Sequence, residues 1–383
     1  MIDLSFWLGV VLLLLVYHSV GPAGQAGWFA AASIIFLAWR DPVSLGVLGA
    51  MTCVAWAALK WRDRLARGRW AISAGLVVLL AGALAGYKLA LSVAGASVLF
   101  PLGLSYFALR AIHVVVDTGR SGAVTPGFST WVTYLLMFPT LPAGPIDRLD
   151  RIAAQLGAYH PWDVLDFKEG CKRILRGLAL KFLLGAWLLP WTGPLTSNPY
   201  FYLMWERWLA LPAYSLMILC DFAGYSDIAI GTARLFGIRV MENFRRPYLT
   251  GNISQFWREW HISLSEWLRD YIFLPTANRW IRWGGQAGVY GAAVLTMVLC
   301  GAWHGLTPGF LVWGLLHGLA LAAHQAYRRA IRRHKPSRRF RRSASYRRLC
   351  IALTFAFVTA AWVPFAAPSL AHSVKYVGAL FRW

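Results

Sequence analysis

Apolar runs of about 17–22 residues recur along this chain, and each matches the roughly 20 helical residues that cross a hydrocarbon core about 30 Å thick. Lipid offers no partner to a backbone polar group, so these runs must form helices and the expected fold is an all-α polytopic membrane protein. The 58% hydrophobic composition, 21 Trp and mean hydropathy of +0.50 exceed what a soluble core of 383 residues needs. Read in order, the runs are Leu4–Val20, Trp28–Trp39 (short), Val43–Leu59, Trp70–Leu91 and Ser97–Val116, then a span entered at Lys172–Arg176 and left near Trp191. Trp208–Leu219, Gly288–Trp303, Phe310–Tyr327 and Leu349–Ala367 follow, and Pro368–Trp383 reads as interfacial. With re-entrant pieces counted, roughly 10–12 helices are expected.

The net charge of +22 does not imply a nucleic-acid partner, because the basic residues cluster in short loops between spans. Lys60, Arg62, Arg64, Arg67 and Arg69 form one cluster, and Arg328 to Arg348 holds eleven Lys/Arg and no acid. Positive loops stay inside, so both are expected in the cytoplasm, the second also suited to anionic headgroups. Three crossings before the first cluster put the N-terminus outside. The five cysteines show no CxxC spacing, so neither a disulfide framework nor a zinc site is implied. MIDLSFW lacks the basic start of a signal peptide and is expected to be a retained first helix.

Several polar groups interrupt this apolar background. Arg110 and His113 share one helix face and are expected to snorkel or bond between helices. In TYLLMFPTLPAGPIDR, Pro139, Pro142 and Pro145 forbid a regular helix, so the backbone must open there. Asp147, Arg148, Asp150 and Arg151 are then expected on the water side. Asp221 and Asp227 point about 120° apart on a helix, which disfavours a shared acid dyad and favours pairing with backbone or arginine.

The densest polar stretch is ENFRRPYLTGNISQFWREWHISLSEWLRDYIFLP, residues 242–275. Asn252 can cap a helix with Gln255 three residues on, and Pro275 is expected to end it. Phe256, Trp260, Leu264, Trp267 and Tyr271 form its apolar stripe, while Arg258, His261, Ser265 and Arg269 form the opposite face. Such a helix is expected to lie at the interface or re-enter a protein-lined funnel. Downstream, Gly301, Gly305 and Pro308 predict a broken helix at His304. Burial there favours neutral imidazole, the form that accepts a proton, so His304 is a candidate general base. His317 and His324 share a face but lack further ligands at metal-binding spacing. No Gly-x-Ser-x-Gly, nucleotide-binding glycine loop or HExxH motif supports hydrolase, kinase or zinc-protease chemistry.

PLGLSYF (101–107), FPTLPAGPIDR (138–148), DFAGYSDIAIG (221–231), the 242–275 block and GAWHGLTPGFLVWGLLHG (301–318) together resemble the membrane-bound O-acyltransferase family, in its bacterial branch that modifies extracellular polymers. The resemblance implies a ring of helices around a central tunnel in which an acyl donor from one side meets a hydroxyl from the other. It implies one integral domain over 1–383, with N-terminal helices at 1–95, the family core at 96–327, a basic loop at 328–348 and a final span and tail at 349–383. His304 corresponds to the family's catalytic histidine and His261 to its second histidine. Arg258, Ser265, Arg269, Trp303 and Asp221 are the candidate substrate contacts, and no metal is implied. DFAGYSDIAIG and the long block look like the alginate-acetylating members, GPIDR and the modest length like the teichoic-acid D-alanylating ones. The donor is therefore open between acetyl-coenzyme A and a phosphopantetheine thioester on an acyl carrier protein. The acceptor is an extracellular glycan, a cell-wall polymer or a relay protein, and the location a bacterial cell membrane. Two rivals are a transporter or lipid flippase, disfavoured because no internal repeat is detectable, and an intramembrane metalloenzyme using His261, His304 and His317.

The loop assignment is testable. Single cysteines placed in 60–69 or 328–348 on a cysteine-free background are expected to resist an impermeant thiol reagent in intact cells, and ready labelling of either would overturn the topology.

Overall fold

A computed structural model describes residues 3–21, 24–65, 68–94, 101–121, 125–334 and 343–382. Its regular elements are all helical among these residues. Among the described residues, six stretches are long and apolar enough to cross a membrane: Pro42–Arg64, Arg69–Val93, Val164–Thr196, Met204–Leu235, Ile262–His304 and Ala344–Ala366. The chain is a multi-pass membrane protein. Residues 66–67 of the first basic cluster, 335–342 of the second and 97–100 of the expected fifth span lie outside the described residues.

The helices start where short polar side chains can hold their free N–H groups. Asp3 accepts from the Phe6 N–H at 2.9 Å. Asp41 accepts from Ser44 N–H at 2.9 Å, ahead of a helix whose first residue is Pro42. Ser343 and Ser369 cap Ala344–Ala366 and Leu370–Ala379 in the same way. The short second helix is Gln25–Arg40. The chain divides into two units, Met1–Leu178 with Tyr225–Glu242, and Ala179–Gly224 with Asn243–Trp383.

In the first unit, helix Phe128–Leu136 stops before the prolines and the backbone opens through 137–148, as the three prolines require. Arg110, on Leu104–Ser121, does not snorkel; it is 2% exposed and holds that opened loop. Its guanidinium donates to Thr140 O at 3.0 Å, Thr140 Oγ1 at 2.8 Å and Pro145 O at 3.2 Å. His113 Nε2 lies 2.5 Å from the Tyr134 hydroxyl, which donates to Asp147 O at 2.7 Å. Asp147 departs from the water-side expectation: it is buried, accepting from the N–H groups of Arg148 and Met241, both at 2.8 Å. The opened backbone needs an internal acceptor more than the carboxylate needs water. Asp227 takes the structural role expected of it, accepting from Arg176 Nε at 2.5 Å and Nη2 at 2.7 Å.

The second unit begins with a π-turn, Ala179–Gly185. Asp221 pairs with Lys181. Arg207, 5% exposed, gathers four carbonyls: Pro199 O at 2.9 Å, Tyr202 O at 3.0 Å, Ala379 O at 2.5 Å and Arg382 O at 2.8 Å. It thereby satisfies the C-terminal end of Leu370–Ala379, where a cation is also favoured by the helix dipole. The Leu274–His304 helix bends sharply at Gly285 (φ 55°, ψ −131°). It then pairs with Pro308–His334 at a glycine seam. A Cβ on Gly301 would collide with the Phe310 carbonyl, one on Gly314 with the Met297 carbonyl, and one on Gly318 would stand 2.7 Å from the Val294 Cα. Small residues are what let two membrane helices bring their backbones together.

Gly314→Val is therefore expected to lower stability by about 1–3 kcal/mol through overpacking. Gly378→Ala, in a helix with open space around it, is expected to be neutral or slightly stabilising. Thermal unfolding of the two purified variants in one detergent checks the contrast.

Candidate active site

The 242–275 block does not form one amphipathic helix. Asn252 caps Ile253–Glu259, its side chain accepting from Gln255 N–H at 2.9 Å. Gln255 Oε1 reaches back to Gly251 N–H at 3.2 Å instead of the cap residue's own. The helix then breaks at Trp260 and His261 and restarts as Ile262–Leu268. His261 sits in the left-handed region at φ 42° and, with Arg246 at φ 51°, is one of two non-glycine residues with positive φ among the described residues. Such a backbone is disfavoured for an L residue and persists where its surroundings enforce it. Asn243 does so here: its carbonyl accepts from Ile262 N–H at 2.9 Å and its Oδ1 from the Ser263 hydroxyl at 2.7 Å.

Pro275 does not end the block. A π-turn, Arg269–Phe273, leads into Leu274–His304, and Pro275 occupies the first turn, where a missing N–H costs no hydrogen bond. The apolar stripe is as expected for Phe256, Trp260, Leu264 and Trp267, all buried. His261 leaves the polar face, because the inverted backbone turns it inward. It is 1% exposed, against Phe222 at 4.6 Å between ring centroids and stacked on Phe244 at 6.5 Å.

His304 closes Leu274–His304, and Gly305 provides the cap, its N–H bonded to Gly301 O at 3.1 Å before Pro308 opens the next helix. The half-buried imidazole is surrounded by rings: Trp303 at 4.8 Å, Phe365 at 5.1 Å, Trp313 at 5.3 Å and Phe310 at 6.3 Å. Trp303 also meets His261 at 6.0 Å. One indole thus contacts both histidines.

A third histidine joins this cluster. His317 is fully buried and accepts a hydrogen bond at Nδ1 from Trp257 Nε1–H at 3.3 Å, which assigns the proton to Nε2. Trp313 packs on His317 at 4.9 Å as well as on His304. Trp257 and Trp313 were not among the expected site residues; the signal available was their repetition in SQFWREW and FLVWG beside the histidine motifs. No group of three or more His, Cys, Asp or Glu arranged to hold a metal occurs among the described residues.

A cavity of 380 Å³ opens beside the cluster, lined among others by Trp257, Arg258, Ser265, Arg269, Met297 and Gln325. Three of the expected substrate contacts, Arg258, Ser265 and Arg269, therefore share one space, whereas His261, His304, Trp303 and Asp221 do not line it. Arg269 is engaged with its neighbour Asp270 at 2.8 Å. Two further cavities, of 840 and 550 Å³, adjoin the first at Arg258.

The family profile described as MBOAT, membrane-bound O-acyltransferase, matches residues 96–359, which take in both histidine motifs. The chain belongs to the membrane-bound O-acyltransferase family. Among relatives with curated names, this acyltransferase-family chain is 34% identical over 293 residues to a probable alginate O-acetylase of Pseudomonas syringae pv. tomato, covering 75% of this chain and 52% of that protein. It is 28% identical over 288 residues to the teichoic acid D-alanyltransferase of Bacillus subtilis, covering 71% of this chain and 70% of that one. To the peptidoglycan O-acetyltransferase of Helicobacter pylori it is 28% identical over 315 residues, with 72% and 56% covered. The aligned region spans about half the length of the alginate O-acetylases it matches.

Trp257→Phe keeps an aromatic ring but loses the pyrrole half of the indole and with it the N–H that serves His317. Leaving a buried acceptor unmet costs about 1–3 kcal/mol, so the variant is expected to unfold at lower temperature than wild type while retaining its helix content, measured by circular dichroism.

Proposed function

We propose that this chain is an O-acyltransferase that moves an acyl group from a cytoplasmic thioester to a hydroxyl on an extracellular polysaccharide, cell-wall polymer or relay protein. The observation that carries the reading is the pair His261 and His304 on one indole, each at a backbone break, beside a cavity bearing Arg258, Ser265 and Arg269. Named relatives that act on alginate, peptidoglycan and teichoic acid support acetyl or D-alanyl as the group transferred. In this reading the helices surround a passage joining the two faces of the membrane, with the N-terminus outside and the basic clusters in the cytoplasm.

The chemistry follows from what a neutral imidazole can do. His304 takes the acceptor hydroxyl proton as that oxygen attacks the thioester carbonyl. The tetrahedral intermediate collapses, the C–S bond breaks, and the departing thiolate recovers the proton from the His304 imidazolium. His261 orients the donor or stabilises the developing oxyanion. The ring-lined surroundings exclude water, which would otherwise hydrolyse the thioester, and holding donor and acceptor together supplies proximity.

His304→Ala is expected to lower acyl transfer by about 10²–10⁴-fold, with expression, insertion and thermal unfolding near wild type. His304→Gln keeps some size and hydrogen bonding but cannot cycle a proton. Radiolabelled transfer by the purified protein distinguishes the roles: substantial turnover by well-folded His304→Gln would overturn the catalytic assignment.

A further inference from the structure

We infer that the first unit carries a binding site for one anionic phospholipid, where the end of Pro42–Arg64 meets the start of Arg69–Ala94 and the end of Leu104–Ser121. A cavity of 680 Å³ lies among these three helices, and none of its lining residues belongs to the candidate active site. The inference therefore stands independently of the acyl-transfer reading.

The cavity has a cationic end, formed by Arg62, Arg69, Ser73, Thr118 and Arg120. Arg62 is 1% exposed and ties the three helices together. Its Nη1 donates to Thr118 Oγ1 at 3.0 Å and to Ser73 Oγ at 3.3 Å, and its Nη2 donates to Asp63 Oδ1 at 2.8 Å. The same Asp63 oxygen lies 3.5 Å from Arg69, so one carboxylate serves two guanidiniums, while Arg120 adds a third positive charge. Asp63 is further committed to Thr125, accepting from its N–H at 2.9 Å. The other acid close by in sequence is Asp117, which lies 3.2 Å from His113 Nδ1 and does not line the cavity. Three arginines against these two acids leave one positive charge over, the complement of a single phosphodiester. Guanidinium forks suit phosphate oxygens. Arg69 also stands at the first residue of its helix, an end that disfavours a cation and favours a phosphate.

The other end of the cavity is apolar, walled by Val77, Val78, Val115 and Val116. Val77 lies about 12 Å along the helix from Arg69 at 1.5 Å per residue, a step from headgroup level into hydrocarbon. Val78 is 71% exposed, on a helix long and apolar enough to span, so this end opens toward acyl chains. Trp70, 78% exposed, marks the level of the interface, where indoles concentrate. The sequence of surfaces, guanidinium then valine, is that of a phospholipid laid along the helix. A soluble anion would use the first part alone. A zwitterionic lipid would bring an ammonium among arginines, and no acidic side chain lines the cavity among the described residues to receive it.

Native mass spectrometry of the purified, delipidated full chain tests this, with dioleoyl phosphatidylglycerol, dioleoyl phosphatidylcholine and soluble glycerol phosphate as probes. One phosphatidylglycerol is expected to be retained about tenfold or more tightly than phosphatidylcholine. Arg120→Gln and Ala74→Trp are each expected to weaken that retention about tenfold. The first removes a charge; the second keeps every charge and fills the cavity from an exposed position with a ring that membrane interfaces accept. Arg348→Gln, in the other basic cluster, is expected to change nothing. Circular dichroism shows that each variant is folded, and the comparison of the two lipids on wild type decides the matter without them. Equal affinity for the two lipids, indifference to both cavity variants, or loss with Arg348→Gln alone overturns the inference. Displacement of the lipid by glycerol phosphate overturns it too, marking a site for a free anion, as does a dimer whose formation excludes the lipid, marking a contact between copies.

Discussion

Every departure from helix in this membrane chain must bring its own hydrogen-bond partners, because lipid supplies none. The structure meets that demand with a few buried polar side chains, each assigned to one opening. Arg110 holds the proline loop, Arg207 the carbonyls at Leu370–Ala379, and Asn243 the inverted turn at His261. These groups make the irregular backbone possible, and irregular backbone is where the candidate chemistry resides. The polar interior reads as a set of local repairs, with the histidines placed at two of the breaks.

Much of this was legible because it is local. The Asn252 cap, the helix end at His304 and Gly305, and the opening after Leu136 depend on residues within one or two turns, so propensity and hydrogen-bond geometry decide them. The pairing of Asp227 with arginine followed from the angle between carboxylates on one helix. Three features could not be read. The burial of Asp147 depends on the Met241 N–H, 94 positions away. The passage of helix through Pro275 depends on the π-turn before it, which leaves no clear periodic signature. The burial of His261 depends on one residue changing the sign of φ, and a helical wheel drawn through that point misassigns its direction.

The aromatic cluster bears on how the histidines behave as a group. Trp303 touches both His261 and His304, while Trp313 touches both His304 and His317. Three imidazoles are thereby linked through two indoles. An environment of rings surrounds the imidazoles with largely apolar surface. It also fixes ring orientation by packing, a role that hydrogen bonds to acids play in many soluble catalytic sites.

The left-handed backbone at His261 has a consequence for how this sequence can change. Glycine or asparagine there would relieve strain of about 1–3 kcal/mol, so selection for heat resistance alone is drawn toward losing the imidazole. Stability and the side chain pull in opposite directions at this position, and a thermostable descendant chosen without an activity screen would be expected to carry a mark at residue 261.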